Sequence, residues 1–233
     1  MSTGRRILIT GASRGLGLAM VRHHLDRGDI VLGCARSGTE VTHPGYSHLQ
    51  HDVCKESEVD ALFKEVRARG GLDVLINNAG VAGMNAVALT TADAARRIID
   101  VNVLGTFLCS RAAIRLLRAS PAGRIVNVTS VAVPLRLEGE AMYAAAKSAV
   151  ETFTRIIARE VAPLGITCNA VGPSPVRTRL TESVPKEKIE ELLGRQAIPR
   201  WGEPADVINV VDFFLRPESA LVTGQVVYLG GVG

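Results

Sequence analysis

Aromatic residues are scarce in this chain, at 4% of 233 residues with a single Trp. A core must therefore come from Ala, Val, Leu and Ile, which suits a parallel sheet covered by helices. The hydrophobic share of 47% suffices for such a core and argues against disorder. The four cysteines (Cys34, Cys54, Cys109, Cys168) lie far apart with no CxxC pair. That argues against a disulfide framework and for a reducing compartment. Cys34, Cys109 and Cys168 fall in apolar segments and read as small buried hydrophobes. The histidines (His23, His24, His43, His48, His51) show no ligand-like spacing on one element, so no metal site is expected. There is no signal peptide and no apolar run long enough to span a bilayer, so a cytoplasmic location without a membrane partner is expected. Lys and Arg outnumber Asp and Glu by 27 to 23, but they are scattered and not interleaved with aromatics. No nucleic-acid partner is expected from that pattern.

What is present is an alternation. Arg5 to Thr10 is a short apolar strand, followed at once by Gly11-Ala12-Ser13-Arg14-Gly15-Leu16-Gly17. Leu18, Val21 and Leu25 then recur at helical spacing, and Ile30 to Cys34 is a second strand. This strand, glycine turn, helix and strand make a βαβ unit. Glycines allow a tight reversal and close approach of backbone to a phosphate, while the helix start offers free N–H groups to the anion. The spacing is GxxxGxG, so the usual GxGxxG fingerprint fails literally. Further strands are expected at Ser47–Gln50, Leu72–Ile76, Ile125–Val128, Ile166–Val171 and Gln225–Leu229. Helices are expected around Val59–Val66, from Thr91 to Ala119, across Tyr143 and Lys147, around Ile189 and from Pro204. The pattern predicts an α/β fold: a single-domain, Rossmann-type doubly wound sheet of about seven parallel strands with helices on both faces. No linker or repeat interrupts residues 1–233. In such sheets ligands bind beyond the carboxyl ends of the strands. Thr10, Asn77, Asn78, Ser130 and Thr178 all fall at or just after strand ends.

The stretch from Ile125 to Ala149 carries the chemistry. A strand ends at Thr129-Ser130, a loop with Pro134 and Gly139 follows, and a helix then carries Tyr143 and Lys147. Four residues apart, the phenol and the ammonium share one helix face. Facing a strand-end hydroxyl, they make a proton-handling site.

In these motifs the chain resembles the short-chain dehydrogenase/reductase family, over essentially its whole length. The matching residues are Thr10-Gly11-xxx-Gly15-x-Gly17, Asn77-Asn78-Ala79-Gly80, Asn102, Ser130 and Tyr143-xxx-Lys147, with Ser130 and Tyr143 thirteen apart. The 3-oxoacyl-[acyl-carrier-protein] reductases are the nearest group; Arg200-Trp201-Gly202-Glu203-Pro204 and Thr223-Gly224-Gln225 support that. The resemblance implies hydride transfer between a nicotinamide and a carbonyl or secondary alcohol. It makes Tyr143 the general acid in reduction and base in oxidation, Ser130 the holder of the substrate oxygen, and Lys147 the residue that, with the cofactor's positive ring, lowers the phenol's pKa and that binds ribose. Asn102 would hold a water linked to Lys147. The implied cofactor contacts are Gly11, Ser13, Arg14, Gly15, Leu16, Gly17, Arg36, Asp52, Val53, Asn78, Ala79, Gly80, Tyr143, Lys147, Pro173, Val176 and Thr178. For Asp52 a helix N-cap is the competing role.

The second strand ends Cys34-Ala35-Arg36-Ser37, without the acidic residue that would favour NAD. Arg36 and Arg14 would flank a 2′-phosphate, so NADP(H) is expected over NAD(H). Where the family has Pro-Gly after the sixth strand, this chain has Pro173-Ser174-Pro175. The substrate pocket is expected from Val131 to Gly139, Met84-Asn85 and a lid at 177–200. Its apolar members would be Val131, Val133, Leu135, Leu137 and Met142, and its basic ones Arg136, Arg177, Arg179, Lys186 and Lys188. The implied partners are a small carbonyl or alcohol substrate, which an acyl carrier protein would deliver in the 3-oxoacyl reading, and further copies of the chain. A homotetramer or homodimer would pair the helices near Gly105–Ala119 and Ala141–Val161. The competing readings are an alcohol dehydrogenase working oxidatively in a biosynthetic pathway, and a non-catalytic cofactor-binding regulator.

Overall fold

Seven parallel strands form one sheet in the order β3-β2-β1-β4-β5-β6-β7. The computed structural model describes residues 4–177, 181, 184 and 186–232. The strands are β1 (Arg6–Thr10), β2 (Ile30–Ala35), β3 (Tyr46–Gln50), β4 (Val74–Asn77), β5 (Arg124–Val128), β6 (Thr167–Gly172) and β7 (Val226–Tyr228). Alternate side chains go to opposite faces, as strand geometry requires. Leu8, Leu32, Leu75 and Ile125 pack on one face beneath α2 (Glu56–Ala68), α4 (Gly105–Leu117) and α6 (Ala141–Val161). Ile7, Ile9, Val31, Val74, Ile76 and Val126 pack on the other beneath α1 (Gly15–Asp26) and α8 (Pro204–Leu215). Further α-helices among the described residues are α3 (Ala92–Ile99), the short α5 (Ala132–Leu135) and α7 (Lys186–Gly194).

The order reverses between β1 and β4, and such a switch point opens a cleft at the strands' carboxyl ends. The glycine turn after β1 and Asn78-Ala79-Gly80 after β4 both sit there. Two expectations change. The helical run from Thr91 to Ala119 begins as expected, with Thr91 Oγ1 accepting from Ala94 N at 3.2 Å. It is then interrupted by a π-helical turn, Asp100–Leu104, between α3 and α4. The stretch after Ser130 is not all loop. It contains α5, closed at Arg136, which takes the left-handed conformation at φ 50°. A four-residue helix is too short to show a periodicity in sequence.

Candidate active site

Helix α6 puts Tyr143, Lys147 and Glu151 on one buried stripe, at 7%, 4% and 3% exposure. Lys147 Nζ donates to Val128 O at 2.9 Å and lies 5.8 Å from the Tyr143 ring centre. Ser130, two residues past that carbonyl, hydrogen-bonds to Tyr143. Its Oγ also accepts from Ala132 N at 3.1 Å, so one hydroxyl both starts α5 and faces the phenol. Burial pushes the phenol up to about 12; the Ser130 bond acts downward, and the charge of Glu140 adds to the rise. Burial alone brings the Lys147 ammonium down to about 8. In the chain by itself, loss of water around both side chains sets the direction of both shifts. The expected lowering of the phenol's pKa belongs to the cofactor-bound site, where Lys147 would act together with the cofactor's positive ring.

Asn102 sits in the π-helical turn, fully buried. Its Nδ2 donates to Val81 O at 2.8 Å and Ile98 O at 2.9 Å, joining the loop after β4 to the last turn of α3. Its Oδ1 is left buried with no partner. A Cβ on Gly80 would stand 2.8 Å from that Oδ1 and 3.4 Å from Lys147 Nζ. The amide acceptor and the ammonium therefore border the same space beside Gly80.

The glycine turn is held by side chains after β4. Thr10 Oγ1 accepts from Asn78 N (3.1 Å) and Ala79 N (3.0 Å), and Asn78 Nδ2 donates to Thr10 O at 2.9 Å. Gly11 has φ 68°, open to glycine at little cost. A Cβ on Gly17 would lie 2.2 Å from Gly11 O, so the helix can approach the turn only without one. Arg14 and Arg36 are exposed at the rim, and neither guanidinium meets a carboxylate among the described residues. Ser37 Oγ donates to Ser13 Oγ at 3.1 Å between them.

A single cleft of about 1110 Å³ joins these parts. It is lined by Ser130 and by every residue expected to contact the cofactor except Thr178, which lies outside the described residues. A matching family model, described as Enoyl-(Acyl carrier protein) reductase, covers residues 11–231. The 3-oxoacyl-[acyl-carrier-protein] reductase of Vibrio cholerae is 32% identical, over 98% of this chain and 96% of its own. That of Synechocystis is 34% identical at the same coverage. The chain belongs to the short-chain dehydrogenase/reductase family. Two solved members share its fold. Thermoplasma acidophilum aldohexose dehydrogenase has a TM-score of 0.89 and 29% identity, over 98% of this chain and 94% of its own. A putative gluconate dehydrogenase from Agrobacterium tumefaciens has a TM-score of 0.88 and 29% identity, over 98% and 96%.

This short-chain dehydrogenase/reductase departs from the sequence reading on the substrate side. Val131, Leu137 and Met84 line the cleft, but Val133, Leu135, Met142 and Asn85 do not. Asn85 N instead donates to Gly139 O at 2.8 Å, joining the loop after β4 to the loop before α6. Of the five basic residues expected in the substrate pocket, only Lys188 lines the cleft among the described residues, paired with Glu191 at 3.0 Å. Arg177 lies over the Trp201 ring at 4.7 Å, Arg136 and Lys186 do not reach the cleft, and Arg179 lies outside the described residues. Asp52 lines the cleft and accepts from Cys54 N at 3.0 Å; it makes a turn before α2, whose N-cap is Lys55. Ser174 takes no left-handed conformation, so the position does not require the family's glycine.

Three residues escaped the motif reading. Glu140, 8% exposed, lines the cleft three residues before Tyr143, and burial raises its pKa. Glu151 Oε1 accepts from Thr129 Oγ1 at 2.8 Å and Tyr228 OH at 2.6 Å, fixing the strand end that bears Ser130. Asn127 accepts from Asn77 Nδ2 at 2.8 Å and donates to Thr154 Oγ1 at 2.8 Å, bolting β4 and β5 to α6. The period of Glu151 behind Tyr143 and Lys147 was a usable signal; nothing local marks Glu140.

Proposed function

We propose that this protein is an NADP(H)-dependent oxidoreductase that interconverts a carbonyl and a secondary alcohol, acting as a ketoreductase on 3-oxoacyl thioesters. The observation that carries the reaction is Ser130, Tyr143 and Lys147 meeting in the cleft at the sheet's switch point. The residues fit a dinucleotide: the glycine turn keeps its backbone bare, and two guanidiniums with no carboxylate partner among the described residues stand at the rim where a 2′-phosphate would lie. When bound, the nicotinamide supplies the hydride. Ser130 holds the substrate oxygen as charge develops on it. Tyr143 gives that oxygen its proton in reduction and takes it back in oxidation. Lys147, fixed by Val128 O, binds ribose, and Asn102 Oδ1 with Lys147 Nζ holds the water that resupplies the proton. The thioester reading follows the names of the Vibrio and Synechocystis relatives. Exposed Leu104, Phe107 and Ile156 on α4, its leading turn and α6 support pairing with further copies. No helix among the described residues is long and apolar enough to cross a membrane.

Glu140 favours a second substrate reading. A carboxyl in the cleft can accept hydrogen bonds from a polyhydroxylated substrate, and the two solved neighbours are named for sugar substrates. A panel of 3-oxoacyl thioesters, simple ketones, aldoses and gluconate, each with NADP(H) and NAD(H), tests both. The expected result is NADPH-driven reduction of 3-oxoacyl thioesters at the highest kcat/KM. Faster NADP-dependent oxidation of aldoses would replace it with the second reading. No turnover with any of them, alongside tight NADPH binding, would favour a regulator.

A further inference from the structure

Away from the cleft, the last turn of α1 and the end of α8 bring three metal-ligating side chains together. One ligand atom from each of His23, His24 and Asp212 lies within 4.8 Å of the other two, and none of these residues lines the cleft. His24 is fully buried. Its Nδ1 lies 3.1 Å from Asp29 Oδ2, and a carboxylate only accepts, so Nδ1 carries the hydrogen. Asp29 is held in turn by Arg5, through the backbone N at 3.1 Å and Nη2 at 3.0 Å. His24 Nε2 is left buried with no partner among the described residues, and so is Asp212 Oδ1. The other carboxylate oxygen, Asp212 Oδ2, stands 2.9 Å from His23 Nε2. Two stranded acceptors in one cluster are costly unless something electropositive joins them.

We propose that His23, His24 and Asp212 form a binding site for a zinc-type divalent cation, completed by water. Two imidazoles and a carboxylate suit Zn²⁺; Ca²⁺ and Mg²⁺ prefer all-oxygen shells. The Asp29–His24 bond is the outer carboxylate contact that fixes the tautomer of a metal-binding imidazole. Ligands about 2.1 Å from an ion are at most about 4.2 Å apart. The cluster must therefore close slightly, and His23, with a side chain 29% exposed, has room to move. On binding, His23 Nε2 gives up its bond to Asp212 and the ring hydrogen moves to Nδ1. Arg27 Nη1, 3.7 Å from Asp212 Oδ2 and 56% exposed, occupies the cation's electrostatic place and swings into solvent. The ion ties together two helices that both start beside the cleft, α1 at the glycine turn and α8 just past Gly202, the bridge partner of Val176. The expectation of no metal site weighed histidine spacing along one element; the third ligand comes from 189 residues beyond His23.

The test uses the full chain, free of any polyhistidine tag and stripped by chelator, titrated with Zn²⁺ by calorimetry and with Co²⁺ by visible absorption. The expected result is one ion per chain at micromolar Kd or tighter, with d–d bands of a low-coordinate Co²⁺ site and a raised Tm. His23→Ala and Asp212→Asn should each weaken binding at least tenfold while leaving NADPH binding intact, and Arg27→Ala should tighten it severalfold. His23 and Asp212 are partly exposed, so these variants fold where a His24 change at the buried position would not. Absence of binding at 100 µM Zn²⁺ overturns the proposal. So does binding undiminished in His23→Ala/Asp212→Asn, which would place the ion on other histidines.

Discussion

The two walls of the cleft are made of different materials. The wall at β1, β2 and β4 is mostly backbone: Gly11, Gly17 and Gly80 are bare, and the Thr10 and Asn78 side chains clamp the turn by its main-chain groups. The wall at α5 and α7 is mostly side chain. Val131, Leu137, Leu192 and Glu140 line it, and Leu135, Tyr228 and Val232 pack behind the first three in one small apolar cluster. A bare backbone recognises what every dinucleotide shares, its phosphates and close-fitting rings. Side chains recognise what differs between substrates. On the proposed function, the reaction class rests with the first wall and α6, and substrate choice with the second.

The sharpest break acts where the walls meet. Tyr143→Phe should lower kcat by about 10²–10⁴-fold, the usual worth of a placed general acid, with NADPH affinity unchanged in a fluorescence titration. Full activity would remove Tyr143 from the reaction. Next, one methyl added to each wall should separate them. Gly17→Ala drives a Cβ to 2.2 Å from Gly11 O, which is backbone and cannot yield, so NADPH binding should fall more than tenfold together with Tm. Gly139→Ala, at φ 82° with its nearest neighbour the flexible Met84 at 3.1 Å, should cost about 1 kcal/mol and raise KM for substrate, not Kd for NADPH. Equal effects on both constants would erase the distinction.

Arg36→Ala should weaken NADPH about tenfold, the scale of one charge-assisted hydrogen bond, and leave NADH unaffected in paired calorimetric titrations. A matching loss for NADH would assign Arg36 to the shared part of the cofactor. The smallest effect is a pH shift. The Glu140 charge raises the Tyr143 pKa, so Glu140→Gln should lower it. Oxidation needs the phenolate, so its rise with pH should move to lower pH in the variant. An unmoved profile would detach Glu140 from the phenol and leave it a purely substrate-facing group.

Much of this was legible along the chain because it is local. The strand and helix alternation, the glycine turn, and Tyr143 one helical turn from Lys147 each depend on residues within a few positions of one another. Strand bounds read from apolar runs differ from the observed ones by a residue or two, as at β4, expected from Leu72 and observed from Val74. The polar network of Asn77, Asn127 and Thr154 was invisible because its members come from separate strands and a helix.

The sequence by itself determined the family, the doubly wound fold and the placing of Tyr143 one turn from Lys147 on α6, since periodicity and turn chemistry are short-range. Only the tertiary structure decided what those groups feel. It raised the phenol to about 12 and brought the ammonium down to about 8 by removing water from both. It aligned the unused oxygen of Asn102 with Gly80 and Lys147, and set Glu151 under the strand end through Tyr228. It also brought His23 and His24 to Asp212 across 189 positions of chain. Burial and long-range contact are sums over the whole packed molecule, so no local pattern carries them.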